Sequence, residues 1–336
     1  MNNLNRRRFA QLAGAALAGV AASRPVWAQP ASPDRKTIRL ISVVGYTQQP
    51  IAWGVEKGYF DEQGLDVEFI GAQDVVTAVA TGEVDFAFGP TSTYLRAASL
   101  GSPIRIVAAG FRSKGPFHLI ARPEIASVGD LKGKTVGIAA AGSGMAIYAR
   151  EILKAHGIDP DRDVTLVANG VYESAFGSLQ TGQVDATIIH QPFPALGEIQ
   201  GVSHTLARGW DYLPTYHTGV LIAGTALIDS DPDLLRRGLR AYFKSYTEAK
   251  GNYPDYVPWL KSRLKIDPEA VQRAIDQEDE IWDANPAIDP FAIVETQKIE
   301  IANGYQKEIF DEAKFLDLRF IPTEYVKPFT YPERKA

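Results

Sequence analysis

The pattern of apolar and polar positions switches between two periods along most of the chain. Short apolar runs predict strands at Thr37 to Val44, Asp66 to Ile70, through Phe86 and Phe88, and at Ile104 to Ala109. More follow at Pro116 to Ala121, Thr135 to Ala141, Val164 to Val167, up to Ile189, and at Val202 to Leu206 and Thr218 to Ala223. Between them, three-to-four spacing predicts helices at Ile51 to Lys57, Val75 to Thr81, Tyr94 to Ser99, Met145 to Ala155, Ala175 to Gln180 and Phe193 to Glu198. Asp74 is placed to cap the second of these. Beyond Pro232 the chain reads as mostly helical, with Asp267-Pro268 and Asp289-Pro290 as cap-plus-proline starts. Strands alternating with helices predict an α/β fold, each sheet mostly parallel and flanked by helices.

The alternation repeats itself. Thr81-Gly82-Glu83-Val84-Asp85 and Thr181-Gly182-Gln183-Val184-Asp185 each close a helix, open a short apolar strand and lead to a proline. Matching units in the two halves imply two similar lobes. In open parallel sheets the crevice lies beyond the carboxyl ends of the strands. The residues just past each strand are therefore the candidates for chemistry.

Three such places stand out. Thr135 to Ala141 runs into Gly142-Ser143-Gly144 and a helix start at Met145, a corner where free N–H groups and the positive end of a helix dipole meet. Thr91-Ser92-Thr93 follows Phe88-Gly89-Pro90, and its hydroxyls either cap the next helix or reach a bound anion. His190, Gln191 and Phe193 stand at the matching place in the other half. Gln48 and Gln49, after the first strand, offer amide donors, and Trp210 and Tyr212 sit in an aromatic loop. Glu173 opens a helix, where it either contacts ligand or favours the helix N-terminus. Arg112 and Lys114, beside a turn, are either anion partners or solvated charges. Glu278-Asp279-Glu280 reads as a solvated helix face.

Composition narrows the classes. The chain has 336 residues, a formal charge of −5 and no cysteine. The length allows two lobes, and the charge gives no reason to expect nucleic acid. The missing cysteine removes disulfides, thiol catalysis and a lipidated amino terminus. Arg6-Arg7-Arg8, an alanine-rich apolar run from Leu12 to Ala22, and Val26-Trp27-Ala28 form a twin-arginine-like signal peptide over 1–28, cleaved near Ala28. The mature protein is expected in a periplasm. The histidines show no metal spacing, and neither G-x-S-x-G nor H-E-x-x-H occurs.

Ser127-Val128-Gly129-Asp130-Leu131-Lys132-Gly133-Lys134-Thr135-Val136-Gly137-Ile138 resembles a signature of the periplasmic solute-binding proteins that serve ABC importers for nitrate, taurine, aliphatic sulfonates and thiamine-pyrimidine precursors. Glu56 to Phe60, Gly64 to Glu68 and Ala175 to Asp185 are similar to further family motifs. The resemblance implies a two-lobed trap, lobe one spanning 36–116 plus 219–336 and lobe two 117–218. It implies closure on a small solute and delivery to a permease in the inner membrane. The protein is expected to be a monomer that needs no cofactor and has no nucleic-acid partner. The family's taurine and sulfonate binders tend to carry an acidic residue at the place of Gln191. This departure speaks against an amine-bearing solute and leaves sulfonate, carboxylate or heterocycle, sulfonate-like favoured. The remaining alternative is an exported enzyme on the same fold, acting on a small organic acid or pyrimidine.

Overall fold

The computed structural model describes residues 35–42, 45–110 and 114–331. The signal peptide, Val43, Val44 and Arg112 lie outside the described residues.

Among the described residues ten strands are formed: β1 Lys36–Ile41, β2 Leu65–Ile70, β3 Phe86–Pro90, β4 Ile104–Ala109, β5 Phe117–Ala121, β6 Thr135–Gly137, β7 Thr165–Val167, β8 Ala186–His190, β9 His204–Arg208 and β10 Gly219–Gly224. The α-helices are α1 Gln49–Glu56, α2 Val75–Ala80, α3 Thr91–Ser99, α4 Gly144–Ala155, α5 Tyr172–Gln180 and α6 Phe193–Gln200. They continue as α7 Gly209–Tyr212, α8 Thr225–Ser230, α9 Pro232–Gly251, α10 Tyr253–Arg263, α11 Pro268–Glu278 and α12 Pro290–Ala302.

The strands make two five-stranded sheets, ordered β2-β1-β3-β10-β4 and β7-β6-β8-β5-β9. The two orders are one topology used twice. The first three strands of each sheet run parallel, and the fourth, β10 or β5, is the antiparallel strand that has crossed from the other lobe. The fold is the two-lobed α/β architecture expected from the alternating pattern.

The repeated Val-Asp pair shows why each lobe holds this shape. Asp85, 2% exposed, takes the Arg39 backbone N–H at 2.6 Å and the Arg39 guanidinium at 2.6 Å, and so pins β3 to β1. Asp185 takes the Thr135 N–H at 2.8 Å, pinning β8 to β6 in the same way. The repeat is thus a strand clamp.

Apolar residues cover both faces of each sheet. Helix α9 lays Leu235, Leu239, Tyr242 and Tyr246 over Ile38 and Phe86. Gly238 allows that approach, since a Cβ there would stand 2.4 Å from Ile38 Cδ1. The C-terminal helices touch both lobes. Ile293 of α12 packs beneath the first sheet while Ile299 packs against the core of the second, and Gln277 at the end of α11 bonds Gln191 and Glu198 of the second lobe.

Some boundaries differ from the sequence expectation for identifiable reasons. Strand β6 stops at Gly137, short of Ala141, because Asn169 crowds Gly137 and Ala139 turns to φ 62°. Gln49 and Pro50, just ahead of the helix start expected at Ile51, are buried and open α1. Glu278 is buried, with its carboxylate 3.7 Å from His118, so it is not part of a solvated face. Asp74, Asp267 and Asp289 cap their helices as their positions in sequence suggest.

Candidate functional site

A cavity of about 460 Å³ lies between the lobes. That is within the range of small-molecule sites, roughly 300–1,000 Å³. Its walls come in pairs from equivalent strand ends. Thr47 and Gln48 follow β1, and Ser143, Gly144 and Met145 follow β6. Val75 follows β2, and Gly170, Val171 and Tyr172 follow β7. Phe88, Gly89 and Pro90 end β3, and His190 ends β8. Lys114, Pro116 and Phe117 lead into β5, and Thr218 and Gly219 into β10. Tyr94, Ala139 and Ala140 complete the lining.

The corner after β6 is held open by backbone geometry. Ser143 caps α4, its Oγ accepting the Ala146 N–H at 3.2 Å. The N–H groups of Gly144 and Met145, in the first turn, have no acceptor within the helix. Asn169 fixes the loop beside them. Its Oδ1 accepts the Ala139 N–H at 3.1 Å, and its Nδ2 donates to Ser178 and Thr187 at 2.9 Å each.

The cavity is aromatic and carries positive charge. His190 stacks on Tyr172, ring centroids 5.5 Å apart, and meets the edge of Phe117 at 4.8 Å. Lys114 forms no ion pair or hydrogen bond among the described residues, and no described carboxylate lines the cavity with it. Burial raises the hydroxyls of Tyr94 and Tyr172 above the usual phenol range, so both remain neutral donors at neutral pH. Among the described residues no cluster of His, Asp and Glu has metal-binding geometry.

Behind the cavity, Tyr148 of α4 ties together the two segments that connect the lobes. Its hydroxyl accepts the Gly115 N–H at 3.0 Å and meets Thr218 Oγ1 at 3.2 Å. Glu300 of α12, 1% exposed, accepts from Tyr216 at 2.5 Å and from Arg96 at 2.6 Å. Burial raises the Glu300 carboxyl and the Tyr216 hydroxyl, and burial lowers His217 to about 4, so His217 is neutral at neutral pH.

A family model described as NMT1/THI5 like matches residues 48–255. The chain belongs to this family. A putative binding protein of Bacillus subtilis, YtlA, is 22% identical over 265 residues, covering 75% of this chain and 79% of that protein. The formylaminopyrimidine-binding protein of Halalkalibacterium halodurans is 29% identical over 200 residues, 57% of this chain and 59% of its own length. Among solved structures, the aliphatic sulphonate binding protein SsuA of Escherichia coli superposes with a TM-score of 0.67 at 15% identity, covering 91% of this chain and 96% of that one. The desulfurization enzyme DSZB superposes with a TM-score of 0.61 at 17% identity, covering 85% and 97%. These likenesses in structure show the fold.

In this NMT1/THI5-like chain the cavity brings together five of the sequence candidates, Gln48, Ser143, Gly144, Met145 and His190. Lys114 joins them as a cavity-lining charge. The other candidates lie elsewhere. Thr91, Ser92 and Thr93 are not caps but the first turn of α3, after Pro90. Thr91 is fully buried, with Oγ1 3.0 Å from His217 Nδ1 and its N–H given to Thr218 O at 3.1 Å. Ser92 is buried against Tyr216 and Glu300, and Thr93 is exposed. Gln49 gives its amide to Gly45 O at 3.3 Å and accepts from Arg263 at 2.9 Å. Gln191 is fully buried and accepts the Ala195 N–H at 3.3 Å. Phe193 packs on Phe176, and Glu173 and Phe193 border a second cavity. Trp210 is buried and bonds Glu280 at 3.0 Å, and Tyr212 is buried and meets His156 at 2.9 Å.

Phe88, Tyr94, Tyr172 and Thr218 were missed by sequence reasoning. The repeated unit held the signal. It makes β3 and β8 equivalent; in their sheet neighbours β1 and β6, the equivalence sets the Gln48 corner opposite the Ser143 corner.

Proposed function

We propose that the protein is the solute-binding component of an ABC importer and that it takes a small, largely apolar or aromatic anion, sulfonate-like or carboxylate, between its lobes. Lys114 carries this reading, a cation without a partner among the described residues in an aromatic cavity that no described carboxylate lines. An ammonium group would find no counter-charge there, so taurine is disfavoured. The head would meet Lys114 and the N–H groups at Gly144 and Met145, and the body would lie among Phe88, Phe117, Tyr94 and Tyr172. The proposal assigns no chemical turnover. His190 stacks on Tyr172 and meets the edge of Phe117, no described carboxylate lines the cavity, and the chain has no thiol. Export by the 1–28 segment, a periplasmic location, delivery to a membrane permease, and closure about the segments near Gly115-Pro116 and Gly219-Val220 belong to the same proposal. A ligand that binds closed lobes better than open ones would hold them together.

A thermal-shift screen over aromatic and aliphatic sulfonates, aromatic carboxylates, taurine, nitrate and pyrimidines tests it. A true ligand at 100 times its Kd adds about 2.7 kcal/mol. Stabilisation by an aromatic anion that Lys114→Gln weakens at least tenfold supports the reading. Stabilisation by taurine or a cationic solute alone contradicts it.

A further inference from the structure

A second cavity, of about 530 Å³, adjoins the first. Its lining includes Gly45, Gln49, Glu173, Arg263 and Lys265; Arg263 already pairs with Glu56 at 3.0 Å and donates to Gln49 at 2.9 Å, which leaves Lys265 as the lining cation without a partner among the described residues. Tyr172 borders both cavities. One side of its ring stacks on His190. Its hydroxyl comes so close to Gly45 of the other lobe that a Cβ there would stand 2.7 Å from it. Glycine at 45 is what lets the ring reach across.

The backbone of Tyr172 is held out of its ordinary range to make this reach. Its φ is 52°, and the only other described non-glycine residue with positive φ is Ala139, at 62°. Both line the first cavity, and the Gly170 N–H bonds Ala139 O at 3.2 Å. Strained conformations of this kind persist where the surroundings over-determine them, and they cluster at ligand sites. Here the surroundings are Asn169 and the His190 stack.

We infer that Tyr172 is a specificity-determining residue. It walls the ligand cavity off from a second cavity that holds the unpaired Lys265, and so restricts the protein to solutes with one anionic head. The inference rests on the anion-binding reading above. Without the ring the two cavities join. A rod-shaped dianion could then place one end at Lys114 and the other near Arg263 and Lys265. Each added charge-assisted contact strengthens binding and makes it salt-sensitive.

The test compares two probes, naphthalene-2-sulfonate and biphenyl-4,4′-disulfonate, by calorimetry on the mature protein. The parent is expected to prefer the monoanion. Tyr172→Gly, which suits the positive φ and should fold, is expected to shift the ratio of affinities toward the dianion by tenfold or more. Adding Lys265→Ala should remove most of that gain. Tyr172→Asn, another residue that tolerates this backbone, should shift the ratio in the same direction. Circular dichroism melting confirms that each variant is folded. If the parent binds the monoanion and both variants leave the ratio within twofold of the parent's, Tyr172 is not the partition and the inference fails alone. If neither probe binds parent or variants, the anion reading itself fails and takes the inference with it.

Discussion

Helices α3 and α4 look alike in sequence. Each follows an apolar strand and a glycine, each opens with a hydroxyl residue nearby, and each belongs to a different lobe. In the structure they do different work. The start of α3 is turned away from the cavity: Pro90 has no N–H, the Thr91 N–H goes to Thr218 O, Thr91 Oγ1 meets His217, and the Ser92 side chain is buried beside Tyr216 and Glu300. The start of α4 is left open, because Ser143 caps from outside the helix and glycine follows it. The topological partner of α4 is α1, since β6 and β1 hold the same place in their sheets. That corner is closed in its own way, by a buried Gln49 and Pro50, and offers the cavity Thr47 and Gln48. Of the two helix starts, Ser143, Gly144 and Met145 line the cavity, while Thr91, Ser92 and Thr93 do not.

The rear of α3 should behave as structure. Glu300→Ala strips a buried carboxylate from Arg96 and Tyr216 and is expected to lower stability by about 3–5 kcal/mol, the usual range for breaking a buried pair. Urea unfolding would show it, while the folded fraction should bind naphthalene-2-sulfonate within threefold of the parent. A large loss of affinity in the folded fraction would place α3 in the site.

His217 gives the same region a pH signature. Its folded pKa of about 4 lies below the unfolded value of about 6.5, so the unfolded chain binds the proton more readily between these values. Stability should therefore fall as pH drops through this window, by up to about 3 kcal/mol from this group. His217→Gln should remove that part of the slope in unfolding curves taken between pH 7 and pH 4. An unchanged slope would mean that His217 is not held neutral by burial.

On the α4 side, Ser143→Ala is expected to lower the unfolding free energy by about 1 kcal/mol, the worth of a helix cap. It should also weaken binding of the monoanion, because the loosened first turn presents Gly144 and Met145 less firmly. The smallest effect belongs to Thr93, exposed on α3. Thr93→Ala should leave both stability and affinity within about 0.5 kcal/mol of the parent, by melting and calorimetry.

Much of the architecture was legible from periodicity and from one repeated phrase. The Thr-Gly-x-Val-Asp units announced two lobes because Asp85 and Asp185 do the same job in each, and the carboxyl-end rule pointed to the edge of both sheets where the cavity lies. The side chains were harder to place. Trp210, Tyr212, Phe193 and Gln191 are residue types that suit a binding site, yet each is drawn into packing or into contact with a distant residue. For Trp210 and Gln191 the partners lie in or just after α11, far along the chain, which no local pattern reveals. Tyr172 was passed over for the opposite reason. Its role depends on a positive φ and on the nearness of Gly45, neither of which is visible in the letters around it.

The contrast between the two helix starts reduces to one calorimetric titration of naphthalene-2-sulfonate into three proteins: parent, Gly144→Val and Ser92→Ala. At Gly144 a Cβ meets only Tyr216, at an ordinary 3.9 Å, so valine should be tolerated by the fold while its methyl groups crowd the first turn of α4. With the site on α4, Gly144→Val loses at least tenfold in affinity at an unchanged melting temperature, and Ser92→Ala stays within twofold of the parent. Tight binding by folded Gly144→Val together with a tenfold loss in Ser92→Ala would place the anion on α3 and contradict the site described above.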